Sequence, residues 1–230
     1  MPYDVRPCSI DDVARLCAAH HGYGSAGSTA VYCFGVFETD RIVAAFAWQP
    51  PPPGAARSVC PEVPGAVLAL SRMVAVPKPE RTLRHISKPL RQIMRHYIDR
   101  TRWPVLITYS DESMGHTGHV YKCSGWQPER NSNGSLMRRR SATYTNAAAQ
   151  RVSSYSAGVS RTTGLVRGED KITQRWEHWA SQTPLAYMLD WGWRHVPIEG
   201  KVWRSSNPAY TWENLYARWW DSAIEREEAA

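Results

Sequence analysis

The segment Thr108-Tyr109-Ser110-Asp111, followed by Gly115-His116-Thr117-Gly118-His119-Val120-Tyr121-Lys122-Cys123-Ser124-Gly125-Trp126, gathers a carboxylate, two imidazoles and a phenol in one short stretch of chain. Asp111 and His116 together can orient a general base or offer two ligands to a metal ion. The alternative is that Asp111 caps the turn that follows through its backbone amides. His119 stands at i+3 from His116, so on one helix the two would share a face. Tyr121 precedes Gly125-Trp126, and its hydroxyl is either a satisfied core group or a proton donor. His20-His21-Gly22-Tyr23 is a second cluster. Adjacent imidazoles at a helix end suit the negative end of its dipole. Arg81, Arg84, His85 and Lys88 form a third group. They are either a cationic anion site at a helix start or a solvated helix face.

The elements that must position these groups are legible from patterning. Val105-Leu106-Ile107 begins a buried strand, and Asp111 falls at its C-terminal end, where ligands of open α/β sheets commonly sit. Ser9 with Asp11 and Asp12 signals a helix start, and Val13, Leu16 and Cys17 give that helix an apolar face. It should stop near His20-His21-Gly22, with Gly22, Gly24 and Gly27 in a loop. Residues 31–38 and 42–48 predict a hairpin around Thr39-Asp40-Arg41. The prolines from Pro50 to Pro53 mark a surface excursion. Residues 66–76 predict a buried strand. A helix over 81–100 follows, with Leu83, Ile86, Leu90, Ile93, Met94 and Tyr97 on one face and a kink or late start at Pro89. After the strand at 105–110 come a helix at about 116–124 and a strand from Trp126. This order suits an α/β (α+β) domain with a mixed central sheet flanked by helices.

From Arg138 the character changes. Arg138-Arg139-Arg140 opens a segment rich in Ser, Thr and Ala that reads as a loop or extended arm. Of the 11 tryptophans, Trp176, Trp179, Trp191, Trp193, Trp203, Trp212, Trp219 and Trp220 lie beyond it, interleaved with Arg175, Arg194, Lys201 and Arg204. Unstacked bases and a phosphate backbone are held by such a mixture, and a small aromatic core with amphipathic rims would use it too. We therefore expect a catalytic domain over 1–137 and a basic, Trp-rich extension over 138–230. The net charge of +7 favours an anionic partner, nucleic acid ahead of a membrane surface. Five scattered cysteines, Cys8, Cys17, Cys33, Cys60 and Cys123, fit free thiols in a reducing compartment better than a disulfide framework. With no N-terminal signal and no long apolar run, the expectation is a cytoplasmic protein without a membrane partner.

Residues 105–126 resemble a strand-helix unit of the GNAT acyl-CoA N-acyltransferases. They are more similar still to the motif S-Y-A-D-x-x-x-G-H-x-G-x-V-Y-x-A-x-x-[WF] of the Mom-type phage DNA-modification proteins. The resemblance implies a GNAT-like fold, acetyl-CoA or a related acyl-CoA as donor, and double-stranded DNA as substrate. The activity implied is conversion of the N6 amine of adenine to its carbamoylmethyl derivative, which protects phage DNA from host restriction. By the GNAT precedent Tyr121 would protonate the leaving thiolate. Ser71-Arg72-Met73 resembles the family's [NS]-R-[ML] segment, so Ser71 and Arg72 would line the donor cleft. Arg81 and Arg84 would stand in the loop that meets the donor's pyrophosphate, where the usual glycine-rich sequence is absent. The family's His-His-Tyr implies His21 and Tyr23 in the active site with Asp111 and His116, Gly22 being inserted here. The same resemblance implies His21, Tyr23 and Asp111 as ligands of an iron ion. Two other readings remain open: acyl transfer to a different amine (a hypermodified DNA pyrimidine, a protein or a small molecule), and a non-catalytic DNA-binding protein on the same scaffold.

Overall fold

In the computed structural model, residues 3–22, 30–61, 63–100, 102–145, 151–152 and 165–180 are described. The chain opens with β1 (Val5–Pro7) and α1 (Ile10–His20). Ser9 caps α1 in a reciprocal capping box with Asp12, each satisfying the other's backbone N–H, worth about 1 kcal/mol. The helix ends at His21, as its pattern predicts. Next come β2 (Tyr32–Glu38) and β3 (Arg41–Gln49), paired antiparallel through a tight turn at Thr39-Asp40. The proline-rich excursion carries a short helix, α2 (Pro53–Val59), which patterning did not show; proline at its first position costs no hydrogen bond there. β4 (Val67–Ala75) and α3 (Ser87–His96) follow, the helix starting late because Pro89 is tolerated only in a first turn. Arg81, Arg84 and His85 are therefore loop residues. β5 (Val105–Asp111) leads through a 3₁₀ turn, Glu112–Met114, to α4 (His119–Cys123). The chain then forms β6 (Gln127–Pro128), β7 (Arg138–Thr145), β8 (Arg151–Val152) and β9 (Val166–Trp179).

The strands form one sheet in the order β1-β2-β3-β4-β5-β9-β7-β8, with β6 also paired to β9. Of the segment expected as a loop or arm, residues 138–145, 151–152 and 166–179 are strand, and the sheet runs past residue 137. Its alternation was hidden because Arg138, Arg140 and Ser141 are polar on both faces of a sheet margin. Among the described residues no helix is long and apolar enough to cross a membrane. The chain divides into two compact units. The first comprises residues 1–49, 69–97 and 107–178. There α1 buries Val13 and Cys17 on Ala45, Ala47 and Val74, small residues that let the helix approach one sheet face closely. In the second unit, Trp103 is buried with the Arg102 guanidinium 5.2 Å from its ring centroid, and Arg100 donates to the Pro104 carbonyl at 2.7 Å.

The expected 116–124 helix is shorter than its pattern suggested. Gly118 takes a left-handed φ of 70° at the N-cap, so His116 lies outside α4 and shares no helix face with His119. His119 instead approaches Cys123 Sγ at 3.4 Å. Gly118 is buried under the indole of Trp176, and a Cβ there would collide with Trp176 Cζ2 and Cε2. Gly115 has a similar φ of 74° but nothing within 4 Å of a Cβ. Gly115→Ala should therefore cost only the left-handed penalty, about 1–2 kcal/mol. Gly118→Ala should cost about 1–3 kcal/mol more through overpacking. Urea unfolding of the two variants beside wild type checks this, and equal losses would mean that Trp176 yields freely.

Candidate active site

β5 presents different chemistry on its two faces, because alternate residues point opposite ways. Thr108 and Ser110 face α4. The Thr108 hydroxyl donates to the Leu70 carbonyl of β4 at 3.0 Å. The Tyr121 hydroxyl is hydrogen-bonded to Thr108. Burial pushes the Tyr121 phenol above the usual tyrosine range, the hydrogen bond with Thr108 acting in the opposite sense. At neutral pH it is a protonated phenol, suited to giving a proton and unsuited to taking one. Its ring centroid lies 5.9 Å from each of Trp126 and Trp176, and Trp126 stacks on Trp48 at 6.3 Å. Trp176, expected among the nucleic-acid-binding aromatics, is 6% exposed and donates Nε1 to Ser110 Oγ at 2.9 Å. Its place is the core of this site. Trp191, Trp193, Trp203, Trp212, Trp219 and Trp220, with Arg194, Lys201 and Arg204, lie outside the described residues.

The opposite face carries Tyr109 and Asp111. Arg72 joins it through a β-bulge. Leu70 pairs with Trp48 and Arg72 with Ala47, leaving Ser71 as the extra residue, its Oγ donating to the Ala47 carbonyl at 3.0 Å. The bulge re-aims Arg72 to the α1 face, a device common beside active sites. His21, at the end of α1, is pushed down to about 4, by burial first and then by the positive fields of Arg72 and His116. Those couplings place His21, Arg72 and His116 in one neighbourhood. A neutral imidazole at pH 7 is the result, able to accept a proton or hydrogen bond. Asp111 is 7% exposed and accepts from the Ser113 N–H at 3.1 Å and from the Ser113 hydroxyl, so it caps the turn Glu112–Met114. Tyr23 lies outside the described residues. Arg81 turns its guanidinium onto the Val76 carbonyl at 2.5 Å and the Leu83 carbonyl, while Arg84 is exposed on the same loop.

Sequence reasoning missed a charged group beside Tyr109. Arg175 on β9, its side chain 4% exposed, pairs with Glu129 at 2.5 Å and Glu177 at 2.9 Å. Arg139 grips Glu129 through both guanidinium nitrogens. Arg175 also hydrogen-bonds Tyr109. The signal available was the run Arg175-Trp176-Glu177, where alternation sends the two charged residues to one face and the indole to the other.

The Mom protein family matches residues 2–180. The chain belongs to the Mom family. No curated protein sequence matches it. Among solved structures it is similar to an N-acetyltransferase from Staphylococcus aureus Mu50, with 10% identity, 77% of this chain and 98% of that one covered, and a TM-score of 0.44. It is similar too to the Drosophila melanogaster polyamine N-acetyltransferase, at 12% identity, 76% and 98% coverage and a TM-score of 0.42. The ribosomal-protein-S18-alanine N-acetyltransferase of Escherichia coli is a third, at 12% identity, 74% and 90% coverage and a TM-score of 0.41.

The iron expected from the Mom-type resemblance finds no support in the donor set of this Mom-family chain. Among the described residues no three His, Cys, Asp or Glu side chains converge as a metal site. One carboxylate oxygen of Asp111 accepts from Ser113, the permanent cation of Arg72 beside His21 would repel a metal ion, and the third expected ligand, Tyr23, lies outside the described residues.

The low pKa of His21 has a sign that can be tested. The folded state resists protonation that the unfolded state accepts, so stability is fully present above pH 6.5 and is lost as pH falls towards about 4. Allowing for solvent screening, the loss should be about 1–2 kcal/mol. His21→Gln should flatten that limb of the stability profile. Arg72→Met should raise the His21 titration measured by NMR, by less than the whole shift because burial leads. A His21 midpoint near 6.5 in wild type would contradict both.

Proposed function

We propose that this Mom-family chain is a GNAT-like acyltransferase-type enzyme that modifies the exocyclic N6 amine of adenine in double-stranded DNA, yielding the carbamoylmethyl derivative that protects phage DNA from restriction. The donor is acetyl-CoA or a related acyl-CoA; because transfer from the thioester alone would leave N6-acetyladenine, the carbamoylmethyl product also requires an ammonia-level nitrogen donor for its amide and a two-electron oxidant for the new bond between N6 and the methyl carbon. The observation that carries this reading is the family match over residues 2–180 together with the buried, protonated Tyr121 at the end of the Tyr121–Thr108–Leu70 hydrogen-bond chain. A thiolate leaves more readily when a fixed hydroxyl donates to it. In this reading Tyr121 serves the leaving group, and Ser71 and Arg72 at the bulge hold the donor. Arg84 meets the donor's phosphates on a loop that Arg81 shapes. The N6 lone pair is delocalised into the ring, so the amine needs help to attack. His21, kept neutral, takes its proton; Asp111 fixes the turn that carries His116, and Tyr23 completes the acceptor side. The base must leave the duplex stack to be reached. With a net charge of +7 the chain suits the phosphate backbone, and its affinity for DNA should fall steeply with salt.

Nucleosides from plasmid DNA of a host expressing the chain provide the test. Mass spectrometry should show a new adenosine species with wild type, and none with Asp111→Ala. With purified protein, Tyr121→Phe should lower kcat about 100-fold with little change in KM. Unmodified nucleosides beside acetyl-CoA turnover on a simple amine would replace this reading with acyl transfer to another acceptor. Salt-sensitive DNA binding with no turnover of any acyl-CoA would replace it with a binding protein.

A further inference from the structure

Tyr109 is the one exposed residue of β5's seven, and it is 39% exposed among buried neighbours. A phenol in the middle of an otherwise buried strand is a departure from ordinary strand chemistry. Position decides what it is exposed to. Tyr109 stands two residues before Asp111, on the sheet face that also carries Arg72 and, from α1, His21. Its hydroxyl is held by Arg175, which is itself held by Glu129 and Glu177, while Arg139 fixes Glu129 from the other side. Removing a guanidinium and two carboxylates from water is costly, and a network of this kind fixes geometry better than it adds stability. What it fixes here is the ring of Tyr109, anchored by the strand at Cα and by Arg175 at the hydroxyl. An aromatic surface so held loses little side-chain entropy when a flat ligand settles on it.

We propose that Tyr109 is the stacking platform for the flipped-out acceptor base, with Arg175 as the positioning residue that keeps the ring in place. The inference rests on the DNA-modification reading and deepens it by assigning a planar heteroaromatic ring to this face. Stacking tolerates any base, so Tyr109 supplies affinity for an extruded base and leaves the choice of adenine to hydrogen-bonding groups nearby.

The test uses the full chain and two duplex oligonucleotides. One carries an adenine opposite an abasic site; the other is identical but lacks that adenine base. Wild type should bind the first about tenfold more tightly than the second; Tyr109→Phe, which keeps the π-face and loses its hold on Arg175, should keep a smaller preference, and a preference equal to wild type overturns the positioning role of Arg175. Tyr109→Leu, which keeps bulk and loses the π-face, should bind both equally, with the salt dependence of wild type. Tyr109→Leu that retains the tenfold preference overturns the platform and leaves the DNA reading standing. A wild type that binds both duplexes alike does the same. Absence of any wild-type DNA binding brings down the reading itself and the platform with it. Should Tyr109→Leu fail to fold, 2-aminopurine in place of the adenine answers on the wild type alone: stacking quenches its emission on binding, and bright emission overturns the proposal.

Discussion

The indole of Trp176 lying on the bare backbone of Gly118 ties the end of the sheet to the turn that starts α4. One contact sets three things. It requires glycine at 118, which breaks the helix and leaves His116 outside it. It places Trp176 Nε1 on Ser110, satisfying a polar group that would cost about 1–3 kcal/mol if buried alone. It also packs Trp176 against Tyr121, closing the apolar surroundings that keep the phenol protonated. β9 enters the sheet between β5 and β7, far along the chain from the strand whose chemistry it completes.

The other face of β5 is organised by charge instead of by apolar burial. Two arginines and two glutamates cluster beside Tyr109, and the balance of sign matters. Glu129 alone would face Arg139 and Arg175, and Glu177 offsets the second cation. With desolvation costing several kcal/mol per ion, such a cluster survives only when each member is paired and hydrogen-bonded. This one is, and its members come from the segment after β6, β7 and β9. The region that reads as an appended extension thus contributes to the same sheet face as His21 and Arg72.

Much of this was legible in the sequence, and the failures have identifiable causes. The Ser9 cap, the hairpin, the strand ending at Asp111 and the late start at Pro89 follow from local rules that depend on few neighbours. Tyr121 stood out through the family resemblance of a motif that is itself local, residues 108–126. Trp176 did not, since a tryptophan among cations reads the same in a core as on a nucleic-acid surface until its partner is known. That partner, Ser110, is 66 residues away in sequence. The strand at 138–145 was hidden for a related reason: Arg139 and Arg138 are polar on both faces because one pairs with Glu129 and the other with Glu112. The His116–His119 pairing failed on one glycine, Gly118, whose left-handed φ at the N-cap leaves His116 outside the helix and whose missing Cβ makes room for the indole of Trp176. Non-local partners, and the buried charges they permit, are what a single sequence conceals.

The two faces of β5 also divide the protons between them. Burial acts on Tyr121 and on His21 alike, disfavouring the charged form of each. For a phenol that means a raised pKa and a retained proton; for an imidazole it means a pKa near 4 and an empty nitrogen. The same physical term therefore leaves one group holding its proton and the other without one at neutral pH, while making the phenol a weaker acid and the imidazole a weaker base. Arg72 strengthens the asymmetry by its positive field on His21, and the bulge at Ser71 is what aims it there. Burial thus sets the starting protonation state of each group and weakens its drive to exchange the proton, so a transfer through either one has to be driven by the charge that develops on the reacting atoms.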